Sequence, residues 1–157
     1  MTFTTSNIAL SDTGQFSRLI IDYIRKNNSL KSFYTYEPDS SSFEQAIADR
    51  NKQPLDRVLL VEALKVQYEK AGIKGMHPVI EKLKDENTFT VCTGHQLCLF
   101  TGPLYFIYKL ISTINLSEAL KKRYPAFNFV PVYWMATEDH DFEEICSIND
   151  HRVCRTR

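Results

Sequence analysis

Two short stretches hold most of the side chains in this sequence that can do chemistry. The first is Thr93-Gly94-His95-Gln96, followed closely by Thr101-Gly102-Pro103-Leu104-Tyr105. The second runs Trp134-Met135-Ala136-Thr137-Glu138-Asp139-His140-Asp141-Phe142-Glu143-Glu144. In the first, Gly94 and Gly102 bracket a passage from a strand pattern to a helix pattern, where glycine permits a sharp turn or close approach to a ligand. Pro103 suits the first turn of the helix. The free amides of that turn, with the helix dipole, favour a phosphate or carboxylate. Thr93, His95, Gln96 and Thr101 belong to this anion-binding reading. Tyr105 and Lys109 lie four residues apart and share a helix face, so Lys109 either reaches back to the anion or extends into solvent. The alternative is that the glycines only turn the chain and the polar residues are solvated. Neither the Gly-x4-Gly-Lys-Ser/Thr phosphate loop nor the Gly-x-Gly-x-x-Gly dinucleotide pattern is present.

The second stretch admits three readings. Its carboxylates suit a divalent metal, magnesium better than zinc. Asp139, His140 and Asp141, with Glu138 beside them, suit proton transfer or binding of a substrate amine. Asp141-x-x-Glu144 also matches a helix capping box. The local pattern leaves all three open.

The elements that must position these residues follow from periodicity. Residues 88–92 are rich in β-branched and aromatic side chains and predict a strand. A helix follows from Pro103, with Ile107, Leu110, Ile111, Ile114 and Leu120 at helical spacing to about Arg123, and Pro125 stops it. Residues 127–135 predict a second strand. It lacks polar alternation, which points to a parallel sheet covered on both faces; Pro131 marks a strand start or bulge. Cys92 and Trp134 fall to the core, although Trp134 can also line a pocket. Strand, helix and strand make a β-α-β unit with a right-handed crossover. Both motifs then lie at the carboxyl edge of the sheet, where open α/β sheets bind ligands.

The sequence before residue 87 is helical. Phe16, Leu19, Ile20, Tyr23 and Ile24 form one apolar stripe, with Ser11, Asp12 or Thr13 as its cap. Ser41 and Glu44 offer a capping box for a short helix to about Arg50. Pro54 suits the first turn of a helix carrying Leu55, Val58, Leu59 and Val66, which stops near Gly72. Pro78 opens a further short helix through Lys84. The expected organisation is a helical lead-in over residues 1–86, packed on the core, and the start of an α/β core over residues 87–157.

The 157 residues carry 19 basic and 19 acidic side chains, for a formal net charge of zero. That balance argues against a broad nucleic-acid or membrane footprint. No apolar run reaches the roughly 20 residues of a membrane span. The N-terminus lacks a signal-peptide pattern, so the expected compartment is the cytoplasm. Cys92, Cys98, Cys146 and Cys154 show no zinc-binding spacing and are expected to be reduced.

The two motifs together, Thr-Gly-x-Gln…Phe-Thr-Gly-Pro-Leu-Tyr and Pro-Val-x-Trp…Glu-Asp-His-Asp-Phe-Glu-Glu-Ile, resemble those of the bacillithiol biosynthesis cysteine-adding enzymes. The similar stretch runs from about Asn87 to Asn149. The resemblance implies a Rossmann-like parallel sheet similar to that of nucleotidyltransferases. It implies a ligase that joins cysteine to glucosaminyl-malate, with ATP or ADP as a possible cofactor and no metal assigned. Family members often carry Gln where this chain has His95. They are several-fold longer, and continue into the rest of the sheet and a coiled coil that supports a homodimer. The chain is therefore expected to be an incomplete, N-terminal part of such an enzyme. Two other readings stand beside it: another nucleotide-binding, adenylyltransferase-like enzyme, or an inactive truncated remnant serving as an interaction module.

Overall fold

The computed structural model describes residues 4–98, 102–138, 147–150 and 153–156, the last two stretches by their backbone alone. The chain divides into two compact units, Met1–Pro54 and Leu55–Arg157.

In the first unit, α1 spans Arg18–Ile24 and α2 spans Phe43–Asn51, with short segments of 3-10 helix around them. The cap of α1 is Ser17, whose hydroxyl accepts from the Ile20 amide at 3.4 Å. It is not Ser11, Asp12 or Thr13, because the helix begins later than its apolar stripe. The helix closes with Lys26 at φ 57°, and the Asn27 amide donates to the Asp22 carbonyl at 2.9 Å. This is a Schellman closure with lysine where glycine is usual. The Ser41–Glu44 capping box does not form. Asp39 caps this region instead, accepting from the Ser41 amide at 2.8 Å. Its carboxylate also pairs with Lys26, and these partners, Lys26 first, hold the carboxyl well below its usual range. The stripe from Phe16 to Ile24 is exposed, and Ile47 is the buried apolar residue among the described residues of this unit.

The second unit holds the sheet. α3 spans Arg57–Lys70, capped by Asp56, whose carboxylate accepts from the Leu59 amide at 2.9 Å. Pro54 therefore lies before the cap, not in the first turn. Gly72, at φ 70°, ends the helix in a second Schellman closure: the Ile73 amide donates to the Tyr68 carbonyl at 3.0 Å. α4 spans His77–Glu81, with Pro78 in its first turn. The core packs Val61, Ile80, Leu83 and Val130, with Leu64, Tyr68, Met76, Val79 and Val132 around them. Val61 is fully buried, on the face of α3 opposite the exposed Leu59 and Val66.

β1 spans Thr88–Gln96, α5 Leu104–Arg123 and β2 Asn128–Ala136. The two strands pair in parallel from Thr88↔Asn128 to Gln96↔Ala136, as the β-α-β reading requires. β1 is four residues longer than its β-branched segment, so Thr93–Gln96 is paired strand and not loop. Pro131 sits within β2 opposite Val91. A proline can occupy a strand whose unpaired side it faces, and here β2 is hydrogen-bonded to β1 alone among the described strands. The expected cover on both faces is met where Val130 and Val132 pack against α3 and α4 and, on the other face, where Tyr133 meets Phe106 of α5, but it does not extend over all of the sheet. Trp134 and Met135 are 62% and 53% exposed, and Cys92 is exposed too.

The inner face of α5 also differs from its apolar stripe. Ile107, Ile111 and Ile114 are exposed, whereas Thr113 and Ser117 are buried with Leu120. Their hydroxyls donate to the carbonyls of Lys109 and Thr113, each at 2.8 Å. A hydroxyl satisfied by its own helix can be buried at little cost, and its small side chain lets helix and sheet approach closely. Beyond β2, residues Ser147–Asp150 (β3) and Val153–Thr156 (β4) pair antiparallel, in a stretch to which the sequence reading assigns no element.

Two basic side chains secure the start of the strands. Arg57 donates to the carbonyls of Leu83, Thr88 and Glu86 at 2.9, 3.1 and 3.3 Å. Lys121 donates to Pro125 and Phe127 carbonyls and the Asn128 side chain at 2.9, 3.0 and 3.1 Å. Replacing Arg57 by Met keeps its stem and removes its donors. The expected loss is about 2 kcal/mol, measured by urea unfolding.

Glu81 bridges α4 to α3. It pairs with Lys65 and, at 2.9 Å, with Lys84. These cations, Lys65 first, lower its carboxyl from 4.5 to about 2. A depressed folded pKa stabilises above the unfolded value and ceases to do so as pH falls through the folded one. The pair's small stabilisation is therefore complete above about pH 4.5 and is lost towards pH 2. Thermal unfolding across that range should show a smaller acid-side drop for Glu81→Gln than for wild type.

Candidate functional site

The carboxyl ends of β1 and β2 lie side by side, with Gly94 opposite Trp134, His95 opposite Met135 and Gln96 opposite Ala136. Around them the aromatic rings of α5 and β2 enclose one imidazole. His95 is only 6% exposed. Its Nε2 lies 2.8 Å from the Tyr105 hydroxyl, and its Nδ1 lies 3.1 Å from the Gln96 carbonyl oxygen. A carbonyl oxygen only accepts, so Nδ1 carries the proton, and Nε2 of the neutral ring accepts from Tyr105. The ring stacks on Tyr105 at 5.1 Å and meets the edge of Phe106 at 5.5 Å. Phe106 in turn meets Tyr133 at 5.6 Å.

Tyr133 and Cys98 complete the cluster. The Tyr133 hydroxyl donates to the His95 carbonyl at 3.1 Å, tying β2 to the end of β1. Partial burial, and then the neighbouring Cys98, raise the Tyr133 phenol above its usual pKa. The Cys98 thiol donates to the Gln96 carbonyl at 3.3 Å and lies 3.5 Å from His95 Nδ1. Lys109 Nζ donates to the Gly94 carbonyl at 3.2 Å and sits 5.2 Å from the centre of the Tyr105 ring. It thus reaches back to the strand end, as its helix face allows, and stays exposed.

The two glycines have separate reasons. A Cβ on Gly94 would lie 3.1 Å from the Trp134 carbonyl oxygen and 3.3 Å from its Cβ. Gly102 is at φ 62°, and a Cβ there would meet Cys98 Cβ and Sγ at 2.6 and 2.7 Å. Pro103 is the extended N-cap of α5, one position before the first turn where it was expected, and supplies no side-chain cap bond.

The structure thus gathers Gly94, His95, Gln96, Gly102, Pro103, Tyr105 and Lys109 around one strand end. Thr93 stands in β1 opposite Tyr133, half-buried, and Glu138 follows β2, exposed. Thr101, Asp139, His140 and Asp141 lie outside the described residues. Among the described residues, no group of three or more His, Cys, Asp or Glu side chains is placed to hold a metal ion. No helix among them is long and apolar enough to cross a membrane. Cys98 and Tyr133 are site residues that sequence reasoning missed. Alternation along β2 offered the only signal: Tyr133 is two residues from Met135, which pairs with His95.

Comparison with known proteins decides the family. The model of the N-terminal Rossmann-like domain of bacillithiol biosynthesis BshC matches residues 3–153. The chain belongs to that family. Proteins named "Putative cysteine ligase BshC" are 51% identical over 149 residues in Flavobacterium psychrophilum and 52% over 148 in Flavobacterium johnsoniae, each match covering 92% of this chain. A relative of the same name in Bacillus cytotoxicus is 38% identical over 79% of the chain. The chain spans 28% of the length of the two Flavobacterium relatives. The Rossmann-like expectation is therefore met, and so is the expectation of an N-terminal part.

Gly102→Ala should lower stability by about 1–2 kcal/mol from its backbone conformation alone, with a further steric cost against Cys98. In a double-mutant cycle followed by urea unfolding, Cys98→Gly should recover the steric part and leave the backbone part.

Proposed function

We propose that this chain is the N-terminal part of a ligase that joins cysteine to glucosaminyl-malate to form bacillithiol. The observation that carries the reading is membership of the bacillithiol biosynthesis family over nearly the whole chain, together with relatives named as cysteine ligases. Small-molecule substrates follow from that class of reaction. The reduced thiols of such a reaction fit a cytoplasmic setting.

The proposed site is the strand end just described. Amide formation from a carboxylate needs that carboxylate to be activated, and ATP is the proposed source. The residues present fit an anion: the exposed Lys109 ammonium at the strand end and the amino end of the 20-residue helix α5. Lys109, Tyr105, Gly102 and Pro103, with Thr101, form the proposed anion-binding part. Thr93, Gly94 and Gln96 shape the strand end beneath it. Glu138 is proposed to contact substrate, and Asp139, His140 and Asp141 to bind the substrate amine or move its proton.

The test uses the complete protein of which these residues are the N-terminal part, supplied with cysteine, glucosaminyl-malate and ATP, with the product thiol followed by mass spectrometry. Bacillithiol formation that requires all three supports the reading. Pyrophosphate release that ignores cysteine but responds to another acid replaces it with an adenylyltransferase-like activity. Lys109→Met should raise the KM for ATP about tenfold or more, the loss of a charged contact worth roughly 1.5–3 kcal/mol.

A further inference from the structure

On the reading that ATP activates the carboxylate, we propose that the Trp134 indole is the platform on which the purine base of that nucleotide stacks. Base and phosphates then meet the chain on the two sides of Gly94. Paired residues of neighbouring strands project to the same face, and alternate residues of one strand share a face. Trp134 therefore lies on the face of Val130 and Val132, and of its own partner Gly94. Val130 is buried in the core with side chains of α3 and α4, and Val132 packs against it. That cover stops short of Trp134, which is 62% exposed two residues further on.

The strand beside the indole is bare. Gly94 has no side chain, and its backbone lies against Trp134: a Cβ there would come to 3.3 Å from Trp134 Cβ and 3.7 Å from its Cδ1. Cys92, two residues before Gly94 on the same face, is small and exposed. An indole beside a flat strip of backbone offers a planar apolar surface about the size of a ring. A purine stacks on such a surface whichever way its hydrogen-bonding edge points.

The neighbouring charge selects among flat ligands. Lys109 Nζ donates to the carbonyl of the same Gly94 at 3.2 Å, and it comes from α5, which covers the opposite face at Tyr133. An apolar segment of protein would leave that ammonium without a counter-charge. A nucleoside triphosphate uses both features. It crosses the carboxyl edge of the sheet, where open α/β sheets hold ligands, with its phosphates at Lys109 and its base on Trp134.

The experiment measures Kd by calorimetry for ATP and for inorganic tripolyphosphate, which carries the charge without the base. It uses the complete protein as wild type, Trp134→Ala, Trp134→Phe and Lys109→Met, with thermal unfolding of each. Trp134→Ala should weaken ATP about tenfold or more and leave tripolyphosphate unchanged. Trp134→Phe keeps a ring and should recover most of that loss, whereas Lys109→Met should weaken both ligands. Unchanged ATP affinity in Trp134→Ala overturns the platform and makes the indole a packing residue of the complete protein. Equal loss of ATP and tripolyphosphate in that variant overturns it as well, and so does a wild-type protein that binds no ATP. The ligase reading stands or falls separately, on the product thiol. ATP bound through Trp134 without bacillithiol formation keeps the platform and removes the ligase; bacillithiol formation with ATP affinity indifferent to Trp134 does the reverse.

Discussion

The parallel register of β1 with β2 is the constraint on which the rest of the second unit depends. It runs unbroken from Thr88↔Asn128 to Gln96↔Ala136. Parallel strands need a crossover, and α5 supplies it. Both strands therefore leave the sheet at one edge, and the amino end of α5 begins beside that edge. At the opposite edge, Arg57 and Lys121 each gather several chain carbonyls. Charge-assisted hydrogen bonds to carbonyls that the ladder does not use keep the strand starts from fraying. Thr113 and Ser117 let α5 lie close over the sheet, because their hydroxyls are satisfied within the helix.

The same register explains why the first motif behaves differently from a loop. Pairing continues through Thr93–Gln96, so alternation places His95 on the face covered by α5 and buries it. A strand residue there has its neighbours fixed on every side: Phe106 and Tyr105 from the helix, Tyr133 from β2, and the chain's own Gln96 carbonyl. A histidine in this setting has one tautomer and a fixed partner at each ring nitrogen. The same side chain on an open loop would have neither.

Apolar side chains on both faces of α5 and along β2 have a related meaning. A helix that is apolar all round belongs to an interior, and Ile107, Ile111 and Ile114 stand on the side away from Thr113 and Ser117. Trp134 and Met135 are exposed in the same way, although side chains of these types are more often buried. The relatives this chain matches are much longer, with the match covering 28% of their length in the first of them.

Much of the architecture was legible in local pattern. The change of period at Thr88, the proline before Leu104, the proline after Arg123 and the glycine after Ala71 marked element ends, because each is a backbone preference that acts within a few residues. Two motifs at two successive strand exits made the β-α-β unit and the shared carboxyl edge of its strands readable, and the resemblance carried by those motifs led to the family. Cap choice was not legible. Ser11 to Thr13, Ser17, Asp39 and Ser41 are all competent caps, and only the placement of the helix start selects among them. Nor could sequence decide which face of α5 meets the sheet, since isoleucines and small hydroxyl residues lie on different sides and close packing favoured the latter. The hydrogen bond between His95 and Tyr105 joins residues ten apart across a strand-to-helix passage, and the one from Tyr133 to the His95 carbonyl spans 38 residues. Such partnerships depend on register and crossover geometry, which exist only once the strands have paired.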